Sequence, residues 1–287
     1  THYGNDLVIE LAREILEKES LGTDAITDFL FVGLSANDYV GHRWGPYSEE
    51  VADITVQTDA QIAGLLGYLD AKVGKGNYWL VLSGDHGVAP TLAQARSFGL
   101  DAKNLDPKKV QDTTVAALAA RWGPGDWFVP AAGATLNRET LAKYKVSVEE
   151  AARVAGEAAM TIDGILGYVT AESARAPQSI AQSFRLSYFP DRGPDVFFVQ
   201  QPFSLWNGDR GGTTHGTPYS YDTHVPLIFY GSAFHAGIYS ENVSTIDLAP
   251  TLAAALSINQ PSLATGSVLT EALRAPQPAP PSTAKKP

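Results

Sequence analysis

Five side chains have the types and spacing to do chemistry. Asp38 and His42 stand four residues apart just past the apolar run 27–34, and Asp85 and His86 are adjacent just past the apolar run 78–83. His215 sits far away in the sequence, in GGTTHGTP. Imidazole and carboxylate together are donors that suit zinc, at roughly 2.0–2.2 Å. The chain has no cysteine, so thiolate metal sites, thiol nucleophiles and disulfides are excluded, and any metal must be held by His and carboxylate. Six histidines make the search short: His2, His42, His86, His215, His224 and His235. Two Asp/His pairs at strand ends, with His215 supplied by a distant loop, make a ligand set. Each piece alone has a plainer explanation. The Asp38/His42 spacing is common by chance, and Asp85-His86 between Gly84 and Gly87 also suits a helix N-cap in a tight turn. GGTTHGTP also suits an ordinary surface loop. His224 reads as a structural hydrogen-bonding residue, and His2 and His235 are assigned no role.

The surrounding elements must position these groups. Residues 5–19 space Leu7, Leu11 and Ile15 as the apolar stripe of a helix, with Val8 and Ala12 beside it. Residues 27–34 (TDFLFVGL) read as a central strand covered on both faces. SANDYVGHRWGP, rich in Gly and turn formers, is expected to be non-helical until Ser48 caps a long helix running to about Leu69. Residues 78–83 form the next strand, which implies a parallel crossover from 27–34. Helices are expected near 107–121 and 148–160, and strands near 165–169, 184–189 and 195–200. A Gly-rich loop then leads into a strand at 225–230 and a helix at about 246–256. The 27–34, 78–83 and 225–230 strands are expected in one sheet, with both Asp/His pairs beyond strand ends, where open α/β sheets bind ligands.

Composition bounds the class. With 287 residues, 44% hydrophobic and 18% charged, the chain is long and apolar enough for a substantial core. A net charge of −10 argues against a nucleic-acid binder relying on a basic face. No apolar run approaches the roughly 18–20 residues of a membrane span, and no signal peptide opens the segment. Residues 275–287 (APQPAPPSTAKKP) read as a disordered Pro-rich tail. The start at Thr1 reads as a processed form or part of a longer reading frame. Oligomeric state has no signal here.

LSANDYVGHRWGPYS, VLSGDHGV and GTTHGTPYSYDTHVPLIFYG resemble, in order and spacing, the metal-binding motifs of the alkaline phosphatase superfamily. Within it the similarity is to the type I phosphodiesterase/nucleotide pyrophosphatase branch, and there to the bacterial zinc-dependent alkaline phosphatases. The resemblance implies an α/β fold, an alkaline-phosphatase-like sheet flanked by helices with an inserted α+β cap region. Residues 1–95 and 205–274 would form the metal-binding core and 96–204 the cap. Asp38, His42 and His215 would bind one zinc, and Asp85 and His86 would contribute to a second, all five gathering at one two-metal site. The family's further Asp and its Thr or Ser nucleophile are expected upstream of Thr1, so the chain looks like the C-terminal half of such an enzyme.

The implied activity is zinc-dependent hydrolysis of phosphate esters, mono- or diesters, with small-molecule substrates and a periplasmic or secreted location. Two zinc ions about 4 Å apart would clamp the phosphoryl group and activate the alkoxide and the water. They would also leave a locally positive site on an acidic protein. The isolated segment is expected to bind the second zinc poorly and not to turn over. A phosphoglycerate-mutase-like isomerase and a non-catalytic module keeping the fold are the alternatives.

Overall fold

A computed structural model describes residues 1–130, 134–189, 192–208 and 211–274; the tail expected at 275–287 lies outside them. The first elements are α1 (Tyr3–Lys18), α2 (Ala36–Trp44), α3 (Glu49–Leu69), β1 (Leu80–Ser83) and α4 (Leu92–Ser97). Next come β2 (Asn104–Leu105), α5 (Pro107–Trp122), α6 (Arg138–Tyr144), α7 (Val148–Ala159), β3 (Ile165–Val169) and β4 (Ala174–Arg175). The chain finishes with α8 (Gln178–Ser187), β5 (Phe197–Gln200), β6 (Leu205–Trp206), α9 (Ser220–Thr223), β7 (Leu227–Tyr230) and α10 (Leu248–Ala255). These form two compact units. Among the described residues, unit 1 holds Thr1–Asn37, Ile54–His86 and 224–274, and unit 2 holds Asp38–Asp53 and those within Gly87–Thr223.

In unit 1, α1 buries Asn5, Ile9, Ala12 and Leu16. Ile9 and Leu16 pack with Leu65, Leu30 and Leu34. The expected stripe is therefore rotated, and Leu7 and Leu11 are exposed. Asn5 sets that rotation: its amide donates to Thr58 Oγ1 (3.1 Å), and its carbonyl oxygen accepts the Ala36 N–H (3.2 Å). Both stripes satisfy a helical period, and the buried polar bonds choose between them. Residues 27–34 form neither helix nor strand ladder among the described residues. Their side chains alternate, with Leu30, Val32 and Leu34 partly buried and Phe29 and Phe31 exposed, so the expected two-sided burial is corrected to one-sided. β1 pairs antiparallel with β7, Leu80 opposite Tyr230 and Ser83 opposite Leu227. Two of the three expected strands thus share a sheet, and the parallel crossover fails because 27–34 offers β1 no ladder.

Unit 2 is built on α5, α7 and the antiparallel sheet β4-β3-β5. Ala151, Ala152, Ala155 and Ala159 are buried on α7, and Leu118, Trp127, Leu136 and Tyr168 join the first three of these in one core. Trp127 stacks on Tyr144 with centroids 5.3 Å apart. Asp195, almost wholly buried, accepts from Arg138 at both oxygens (2.7 and 2.8 Å) and from the Leu136 N–H. The strand expected at 184–189 is mostly helix: α8 runs to Ser187. Phe184, Leu186 and Tyr188 mimic strand alternation, but Ile180, Ala181 and Phe184, at helical spacing, are the α8 residues that pack with Val169 and Val199. No helix among the described residues is long and apolar enough to cross a membrane.

Candidate metal centre

SANDYVGHRW, expected to be irregular, forms α2, which carries Asp38 in its first turn and His42 in its last. The weak intrinsic propensity of this segment is overridden at its ends. The Ala36 N–H finds the Asn5 side chain, and the Trp44 carbonyl accepts from Gln94 Nε2 (3.1 Å). Gln94 is itself fixed by a capping box with Thr91 at the start of α4. The helix sets Asp38 and His42 one turn apart on a single face.

His215 arrives on a loop stitched to the same helix. Thr213 N–H donates to the His42 carbonyl, and His42 Nδ1 donates to the Thr213 carbonyl, both at 2.8 Å. Thr213 Oγ1 donates to the Ala89 carbonyl (2.8 Å). Gly212 is required where the loop meets α2: its φ is +79°, and a Cβ there would stand 2.5 Å from the His42 carbonyl oxygen.

A carbonyl only accepts, so His42 Nδ1 carries the proton and Nε2 presents its lone pair. That nitrogen lies 3.4 Å from Asp38 Oδ1, and His215 Nε2 lies 3.7 Å from the same oxygen. The imidazole centroids are 5.0 Å apart. One donor atom from each of the three residues falls within 4.8 Å of the other two, a group able to hold a metal ion. Donors around a tetrahedral zinc stand about 3.3 Å apart, so the set fits with a small contraction. All three side chains are about a third exposed, open to a further ligand.

Asp85 and His86 follow β1 in unit 1. His86 Nε2 is 3.6 Å from Asp85 Oδ2, with the carboxylate almost fully exposed and the imidazole a quarter exposed. Of the remaining histidines, His2 lies 4.0 Å from Asp6 on α1, and His224 is exposed.

Three supporting residues carried no sequence signal. Thr213 fixes the His42 tautomer, Gln94 closes α2, and Asp222 anchors Thr217 just beyond His215. Tyr219 and Tyr221 flank that anchor. Burial raises the hydroxyl pKa of both; Tyr219 donates to the Gln200 carbonyl (2.6 Å), and Tyr221 accepts the Phe203 N–H (3.1 Å).

Residues 5–218 match the family model of type I phosphodiesterase/nucleotide pyrophosphatase, so the chain belongs to this family within the alkaline phosphatase superfamily. It is 33% identical over 285 residues to a protein of Myroides odoratus named calcium-transporting ATPase, covering 95% of this chain and 51% of that one. It is 31% identical over 280 residues to alkaline phosphatase PafA of Elizabethkingia meningoseptica, with coverages of 95% and 51%. The crystal structure of wild-type PafA superposes with a TM-score of 0.87 at 31% identity, over 96% of this chain and 53% of that one. The chain is thus a mixed α/β protein of the alkaline phosphatase fold, and it spans about half the length of the relatives it matches.

Proposed function

We propose that this chain supplies the metal-holding part of a zinc-dependent phosphoesterase acting on small phosphate mono- or diesters. The observation that carries this reading is the convergence of Asp38, His42 and His215, with the His42 tautomer already set for coordination through Nε2. Asp38, His42 and His215 would hold one zinc, and Asp85 and His86 would contribute to a second. Bound there, zinc would supply Lewis acidity for a phosphoryl oxygen and lower the pKa of a hydroxyl. Thr213 holds the His42 ring in register, and α2 sets the Asp38 carboxylate beside it, so the donor set needs little rearrangement. A Thr or Ser nucleophile and one more carboxylate belong outside residues 1–287 in this reading. Residues 1–95 and 205–274 act as the metal-binding core, 96–204 as a cap, and the working location is the periplasm or outside.

The test is hydrolysis of p-nitrophenyl phosphate and bis-p-nitrophenyl phosphate by residues 1–287 with excess zinc. The expected result is no turnover above free zinc, because positioning of an in-line alkoxide is worth several orders of magnitude that metal alone does not provide. Robust turnover that disappears in His215→Ala would contradict an outside nucleophile and place it on a Thr or Ser of this chain.

A further inference from the structure

His215 lies between two anchors. On its N-terminal side Thr213 is bonded to His42 and Ala89. On its C-terminal side Gly216 leads directly to Thr217, and both polar groups of Thr217 point at one acceptor. The Thr217 N–H (2.8 Å) and Oγ1–H (2.6 Å) both donate to Asp222 Oδ2. Asp222 is 3% exposed on the single turn α9, and its other oxygen, Oδ1, is buried with no hydrogen-bond partner among the described residues. Its main chain is fixed as well: the Asp222 carbonyl accepts the Gly87 N–H (2.7 Å), and the Asp222 N–H donates to the Tyr219 carbonyl (2.9 Å). Position 87 has no room for a side chain, since a Cβ there would stand 2.2 Å from the Tyr221 carbonyl oxygen.

Burying a carboxylate with one oxygen unsatisfied works against folding. What the carboxylate provides is a single, strongly polar acceptor able to take two donors at once. That acceptor fixes the loop two residues past His215, whose Gly216 (φ +102°) has open space around it and gives no restraint of its own.

We infer that Asp222 is a positioning residue for the metal centre, which through Thr217 holds the His215 imidazole within coordinating distance of Asp38 and His42. This rests on the proposed reading of His215 as a ligand. Asp222 does not touch the metal; it lowers the number of conformations from which His215 must be recruited. Groups bonded directly to a metal ligand change metal affinity about 10–100-fold when removed, and Asp222, which bonds the loop two residues from the ligand, is expected at the lower end of that range.

The experiment titrates residues 1–287 with cobalt(II) and zinc(II), reading affinity by calorimetry and geometry from the visible cobalt bands. Asp222→Ala is expected to weaken binding about 10-fold and to shift the cobalt bands toward higher coordination, as His215 is replaced by water. Asp222→Asn keeps an acceptor for Thr217 and is expected to restore affinity to within about threefold of wild type. Thr217→Val, which loses only the hydroxyl donor, covers the case in which Asp222→Ala does not fold, and should fall between these. Folded variants of both kinds with wild-type affinity and bands, alongside a His215→Ala variant that no longer binds, would overturn the tether alone. A His215→Ala variant that binds as wild type does would overturn the reading of the site, and the tether with it.

Discussion

Unit 1 and unit 2 solve the burial problem differently. In unit 2, Trp127, Tyr168, Leu118 and Leu136 are essentially inaccessible, and α5, α7 and β4-β3-β5 cover one another. In unit 1, Leu7, Leu11, Ile26, Phe29 and Phe31 are exposed, and the β1/β7 pair leaves Ile228 and Tyr230 about half uncovered. Unit 2 also exposes apolar side chains, Tyr39, Tyr47, Phe98 and Leu186 among them, so the difference lies in its buried aromatic centre. All three members of the Asp38, His42 and His215 group fall within unit 2. The lesson is that this ligand set sits in the unit with the densely buried centre. The bonds from Thr213 and Gln94 that fix it lie in unit 2, while the first turn of α2 is held within unit 1 by Asn5.

Substitutions sharpen this contrast. Trp127→Ala empties the centre of the unit 2 core and removes the stack on Tyr144, so it should cost about 3–5 kcal/mol in denaturant unfolding. A loss below 1 kcal/mol would mean that unit 2 is not the closed core described. Asp195→Ala should cost about 1–3 kcal/mol in the same measurement, because the buried Leu136 N–H loses its acceptor while the half-exposed Arg138 can turn to water.

The alkaline limb gives a smaller effect with a definite sign. Burial raises the pKa of Tyr219 and Tyr221 above the ordinary value of about 10. The folded state therefore keeps its phenolic protons longer than the unfolded state does. This stabilisation is fully present below about pH 10 and is lost as pH rises through the raised folded values. Melting temperature followed from pH 8 to 11 should be flat and then fall above about pH 10, and a rise there would contradict the buried hydroxyls.

At the small end stands Phe31→Ser, which should change stability by no more than about 0.5 kcal/mol and improve solubility, since the ring is 83% exposed. A cost of 2 kcal/mol would show that the 27–34 face is covered in the isolated chain.

The parts of the fold legible in the sequence are those whose signals are local. α5, α7 and β3 fall close to the stretches expected near 107–121, 148–160 and 165–169, and the two helices are N-capped by Asp106 and Ser147. α2 was illegible because Asn37, Asp38, Gly41 and His42 are poor helix formers, and the helix depends on bonds from Asn5 and Gln94, 31 and 50 residues away in sequence. Residues 27–34 carry the composition of a central strand, but a ladder needs a partner that composition does not specify. For the site, motif order pointed to Asp38, His42 and His215. Asp222 was invisible because a single Asp in YSYDTH gives no sign that it will be buried or that Thr217 will fold back onto it.

Calorimetric titration of residues 1–287 with zinc, beside His42→Ala, tests the central claim most directly. The account predicts about one tight site per chain, held by Asp38, His42 and His215 and abolished in His42→Ala. No tight binding by the wild-type chain, or binding unchanged in His42→Ala, would contradict it.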